Sequence, residues 1–149
     1  MEVLALLKDK ARGVHTIASS QTVEDAICLM VSGKVSTLLV MENDQPAGIF
    51  SERDVLHTYL RNKSTAFSEI ILENAMTRNL MVAEPKDAIT AVMARMIKAN
   101  ISHLPLIEEK KIVGMLTLRE LMQHQIDSLT DEIHQLKDYI ADLHEAGQD

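Results

Sequence analysis

At 149 residues, with 46% hydrophobic and 25% charged side chains, the chain has the composition of one globular domain or two small fused units. Its net charge of −7 excludes nucleic acid as the main partner, because phosphate binding without a basic stripe lacks the counterion release that drives it. A single cysteine, Cys28, rules out an intrachain disulfide, and the lack of any apolar run of about 18 residues argues against a membrane span and for a cytoplasmic protein.

The opening "MEVLALLKDKARG" carries a short apolar patch between charges and no A-x-A cleavage site. "HTIA" at residues 15–18 then predicts a short strand, and "SSQT" a turn with Thr22 as helix N-cap. Val23, Ala26, Ile27 and Met30 fall at i, i+3, i+4 and i+7, the stripe of an amphipathic helix. "VSTLLVM" and "PAGIF" read as two strands joined by a hairpin-like turn at "ENDQ". A second helix begins at Ser51, whose hydroxyl is a natural N-cap.

Residues 63–78 read as a linker with a short connecting helix over Ser68 to Met76. "LMVA" at 80–83 predicts another strand, Asp87 another N-cap, and Ile89, Val92, Met93 and Met96 another apolar stripe. "ISHLPLI" and "KIVGML" around "EEKK" predict a second hairpin, followed by a helix from Thr117.

These elements are one unit used twice. Val14–Leu56 lies over Leu80–Met122 at a constant offset of 66 without a gap, matching Met30 to Met96, Ser36 to Ser102, Gly48 to Gly114 and Arg53 to Arg119. The expected organisation is a β-α-β-β-α unit at 10–62, the linker at 63–78, a second unit at 79–122 and a helical tail at 123–146. Either unit alone would be marginal, and pairing the two completes a core.

The helix "SSQTVEDAICLM", the strands "VSTLLV" and "ISHLPLI", and above all the G-h-h-[ST]-x-x-[DE] endings "GIFSERD" and "GMLTLRE" together resemble the CBS-domain pair, or Bateman module, over residues of about 10–122. "ENAMTRN" is similar to the linker that precedes a second copy in that family. The resemblance implies an α/β fold of α+β type, in which two units pack through their sheets about a pseudo-two-fold axis and leave two clefts. It also implies adenosine-type ligands: AMP, ADP, ATP, S-adenosylmethionine or NAD.

On this resemblance Asp54 is the acceptor for a ribose diol, and Ser51 meets sugar or phosphate at a helix N-terminus that favours anions. Thr117 and Glu120 hold the same positions in the second unit. The longer Glu120 side chain shifts the acceptor oxygens, so the first cleft is expected to be the better site. Arg53 and Arg119 are expected on phosphate, as is His103 on its strand. Lys34, Ser36 and Thr37 are expected to line the first cleft, and Thr16 and Ile17 to touch adenine through their backbone.

Enzymatic chemistry has little to stand on. The six histidines form no H-E-x-x-H or other close ligand spacing, so no metal is expected, and there is no G-x-G-x-x-G or Walker loop. His124, His134 and His144, ten residues apart, fall on different helix faces.

In the tail, Ile126, Leu129, Ile133, Leu136, Ile140 and Leu143 are spaced 3, 4, 3, 4, 3, with Ile at each a and Leu at each d position, the choice that favours parallel two-stranded coils. Glu132 and Lys137 are placed to pair between chains, and Gly147 to end the helix. The expected function is a non-catalytic adenine-nucleotide sensor, homodimeric, that modulates a separate target protein without nucleic-acid or membrane binding. The alternatives are an NAD-binding module of the same kind or a structural dimerisation adaptor with empty clefts.

Overall fold

The 66-residue offset reappears in the helices and hairpins of the computed structural model, which describes residues 2, 3 and 14–147. The first unit contains β1 (Thr16–Ala18), α1 (Val23–Gly33), β2 (Thr37–Glu42), β3 (Gln45–Ser51) and α2 (Glu52–Arg61). The second contains α3 (Ile89–Ala99), β4 (His103–Glu108), β5 (Lys111–Thr117) and α4 (Leu118–Ala146). In the first sheet β2 lies between β1, to which it is parallel, and β3, to which it is antiparallel. The second sheet is the antiparallel pair β4–β5.

The expected hairpins form with two-residue turns whose central residues have positive φ, Asn43 and Asp44 in the first and Glu109 and Lys110 in the second. Each hairpin shifts register at the same relative place, after Val40 and after Leu106. Helices α1 and α3 both end on a left-handed residue, Lys34 (φ 54°) and Asn100 (φ 55°), whose backbone N–H groups close the last turn.

Each unit has its own core. Val23, Ala26 and Met30 of α1 pack with Leu38, Val40 and Phe50 in the first, while Ile89, Val92 and Met96 of α3 pack with Leu104, Leu106 and Leu116 in the second. Full burial of a leucine such as Leu38 or Leu104 stabilises by about 1.5–3 kcal/mol relative to exposure. Val3, close to the start of the chain, is fully buried in the second core, and its N–H donates to the Asp87 carbonyl at 2.9 Å.

Three expectations fail for physical reasons. Residues 80–83 form no strand; Ala83 alone bridges Leu106. In the first unit the Leu39 N–H donates to the His15 carbonyl at 3.0 Å, but the residue equivalent to Leu39 is Pro105, which has no N–H to give to Met81. Asp87 is not the N-cap of α3. That position belongs to Ala88, 66 residues after Thr22, and the Asp87 carboxylate instead accepts the Glu84 N–H at 2.9 Å and faces Arg95 at 3.7 Å.

The linker makes two 3₁₀ turns, Phe67–Glu69 and Leu72–Asn74, rather than a helix over Ser68 to Met76. Its backbone is committed elsewhere: the Val23 N–H donates to the Ile70 carbonyl and the Leu72 N–H to the Gln21 carbonyl, both at 2.8 Å, while Ile70 and Leu72 enter the first core.

Helix α4 continues from the second unit through the tail as one element. Leu121 is buried in the second core, whereas the six a/d residues from Ile126 to Leu143 are 49–59% exposed. No helix among the described residues is long and apolar enough to cross a membrane.

Candidate functional site

The candidate site is a cleft of about 450 Å³ built from both units. The first contributes Ser36 and Thr37 at the start of β2, Ile49 and Ser51 on β3, and Glu52, Arg53 and Asp54 on the first turn of α2. The second contributes Ala99 to His103, the end of α3 and the entry to β4, and Thr77 comes from the linker.

The turn from β3 into α2 fixes Asp54. Its Oδ2 accepts the Ser51 backbone N–H at 2.9 Å and the Ser51 hydroxyl at 3.1 Å, and its Oδ1 accepts the Thr77 hydroxyl at 2.8 Å. Ser51 therefore takes the N-cap position with its hydroxyl donating to the carboxylate. The Glu52 N–H, first in the helix, is taken by the Ser36 carbonyl at 3.1 Å, tying β2 to the same turn.

Gly48 explains why the G-I-F-S-E-R-D ending opens with glycine. A Cβ there would lie 2.5 Å from the Thr77 carbonyl oxygen and 3.1 Å from the Met76 sulfur. The missing side chain lets Met76–Thr77 run against β3, where Ile49 and Thr77 exchange two backbone hydrogen bonds of 2.9 Å each.

Arg53 bridges the units, with Nη1 donating to the Asn100 carbonyl at 3.1 Å. His103, contributed by the second unit, is half-buried in the same cleft, its Nδ1 2.9 Å from the Ser102 hydroxyl. A carboxylate, a guanidinium, an imidazole and several hydroxyls thus line one cleft, a set of groups that can hold an anion and accept hydrogen bonds from hydroxyls.

Of the twelve residues singled out from the sequence, Ser36, Thr37, Ser51, Arg53, Asp54 and His103 line this cleft. Lys34 lines a different, more apolar groove of about 620 Å³ between α1 and α2. Ile17 is buried in the first core and Thr16 is exposed on β1; neither lines the cleft. Thr117, Arg119 and Glu120 occupy the equivalent turn of the second unit, where the Thr117 hydroxyl accepts the Glu120 N–H at 3.1 Å. Sequence reasoning missed Thr77 and Asn100. Thr77 stood inside the quoted "ENAMTRN" as a spacer, and Asn100 carried only the signal of a helix C-cap.

A duplicated α/β unit, closed on its twin around a cleft served by the turn from the hairpin into the following helix, defines a class of tandem modules. The CBS-domain family model matches residues 9–61 and 68–127, and the chain belongs to that family as a CBS-domain pair. It is 28% identical over 129 residues to the CBS domain-containing protein CBSX3, mitochondrial, of Arabidopsis thaliana, an alignment covering 82% of this chain and 61% of that protein.

The chain spans 58% of the length of an uncharacterised relative from Methanopyrus kandleri, to which it is 28% identical over 115 residues covering 75% of this chain. Among solved structures, a CBS-domain protein from Burkholderia ambifaria superposes with a TM-score of 0.79 at 28% identity, over 85% of this chain and 95% of that one. The CBS domain pair of the protein MJ0100, solved with 5′-methylthioadenosine and S-adenosyl-L-methionine, shares the fold with a TM-score of 0.71 at 21% identity, over 86% of this chain and 97% of that one.

Proposed function

We propose that this CBS pair is a non-catalytic regulatory module that binds AMP, ADP or an ATP-like adenine nucleotide in the Asp54 cleft and thereby modulates a partner protein. The observation that carries the reading is the gathering of Ser51, Arg53 and Asp54 from one unit against Asn100 to His103 of the other in a single cleft. Asp54 accepts a sugar hydroxyl, and Arg53 and His103 meet the phosphate. A ligand joining residues of both units biases their relative packing, which is how occupancy reaches a partner. The MJ0100 pair, solved with two adenosine-bearing molecules, supports this ligand class.

The exposed a/d seam of α4 supports a second element of the reading, a homodimer joined by a parallel coil, and the proposed compartment is the cytoplasm. The same seam would serve a structural adaptor with empty clefts, and NAD is the rival ligand.

Titration calorimetry with AMP, adenosine and NAD separates these readings. AMP binds more tightly than adenosine through charge-assisted contacts to its phosphate. Asp54→Ala removes a charged acceptor, worth on the order of 1.5–3 kcal/mol per bond, and weakens AMP at least about tenfold. Glu120→Ala has the smaller effect, and Glu120→Asp strengthens the second site. Absence of heat with every nucleotide would leave the adaptor, and a gain in affinity from the nicotinamide half would favour NAD.

A further inference from the structure

Both oxygens of the Asp54 carboxylate accept hydrogen bonds from the protein itself. Of about four lone-pair positions on an ionised carboxylate, the Ser51 N–H and hydroxyl take two on Oδ2, and the Thr77 hydroxyl takes one on Oδ1. The terminal torsion of an aspartate is otherwise broad, so donors on both oxygens give this carboxylate one orientation. The Thr77 contact is the shortest of the three, at 2.8 Å.

Thr77 is itself well held. Its two backbone bonds to Ile49 place it on β3, the strand that ends in Ser51, and Gly48 leaves the space that this approach requires. One strand therefore sets both donors, Ser51 along the chain and Thr77 across it. Sixty-six residues earlier stands Ala11, which has no hydroxyl to offer.

We infer that Thr77 is a positioning residue of the Asp54 cleft: its hydroxyl fixes the carboxylate so that the remaining acceptor capacity is presented to a sugar hydroxyl of the ligand. The inference rests on the nucleotide reading above and adds a residue and a specificity to it. A ligand without ribose hydroxyls gains nothing from an oriented acceptor, whereas one that has them does. The role is thus visible as hydroxyl selectivity and not as affinity in general.

The test titrates the full chain with AMP and with 2′,3′-dideoxy-AMP, following the backbone amide signals of Ser102 and His103 so that occupancy is assigned to this cleft. Thr77→Val keeps the β-branched shape and removes the hydroxyl. It is expected to weaken AMP about three- to tenfold, the range for one lost hydrogen bond, while changing dideoxy-AMP less than about twofold. Thr77→Ser, which restores the donor, returns AMP to within about twofold of wild type. If Thr77→Val does not fold, Thr77→Ala carries the same expectation. Equal losses for both nucleotides, unchanged AMP affinity or tighter AMP binding overturns the inference and leaves the nucleotide reading standing. No AMP-dependent shift of Ser102 and His103 in the wild-type protein overturns the nucleotide reading, and the inference with it.

Discussion

Gly48 and Arg53 show how single residues of the repeated motif divide the work. Gly48 binds nothing; it makes room for the linker. Gly48→Ala places a methyl 2.5 Å from a backbone carbonyl that two hydrogen bonds hold in place, so the linker or the strand must shift. The expected cost is about 1–3 kcal/mol, read as a lower urea midpoint with an unchanged slope. A variant as stable as wild type would mean that the linker gives way freely. Arg53 reaches across to the Asn100 carbonyl with one of five donors, so its guanidinium already lies at the seam between the units. Arg53→Ala is expected to erase most of the preference for AMP over adenosine while leaving adenosine affinity within about twofold, because the loss is confined to charge-assisted phosphate contacts. A preference that survives in this variant assigns the phosphate to other residues.

At the scale of elements, the two copies of one helix differ at their caps. Thr22 accepts the Asp25 N–H at 3.1 Å while the Asp25 carboxylate accepts the Thr22 N–H at 3.1 Å, a reciprocal capping box on α1. Its counterpart on α3 is Ala88, which offers no side-chain acceptor. Thr22→Ala should therefore destabilise by about 1 kcal/mol, and Ala88→Ser should stabilise by a comparable or smaller amount. Denaturant unfolding of the two variants checks both signs, and a destabilising Ala88→Ser would show that the α3 entry is not limited by its cap. The short strand tells the same story of one pattern in two contexts. Ile17 pairs with Val40 on β2, while the equivalent Ala83 keeps a lone bridge to Leu106 because Pro105 withholds a donor.

For the whole molecule, α4 is the element that runs on from the second core into an exposed apolar seam. Its first turn is anchored by Leu121, and the remaining length presents a narrow apolar seam that is about half exposed among the described residues. A parallel pairing buries six Ile and Leu side chains per chain. Ending the chain after Met122 is expected to halve the mass measured by light scattering, or to weaken self-association strongly, while circular dichroism keeps the signal of the two units. A truncated chain that stays a tight dimer would move the main contact to the units themselves. Because the candidate cleft draws on both units, its ligand and their packing are thermodynamically linked. Nucleotide should therefore raise the melting temperature of the full chain as its concentration passes the dissociation constant.

The sequence by itself determined whatever depends on neighbours a few residues apart or on a period. The 66-residue offset, the apolar stripes of α1 and α3, the two hairpins, the turn carrying Ser51 and Asp54, and the heptad seam were all legible, because helices and strands print their spacing into the order of residues. Only the tertiary structure decided the contacts between distant segments. It set Thr77 on Asp54, 23 residues away, and Arg53 on the carbonyl of Asn100, 47 residues away. It put Val3 into the second core, and it drew the linker into two tight turns by giving its backbone to residues 19–23. None of these contacts has a periodic signature. Each exists because folding brings a donor to an acceptor, or a methyl to a void, that the order of the chain keeps apart.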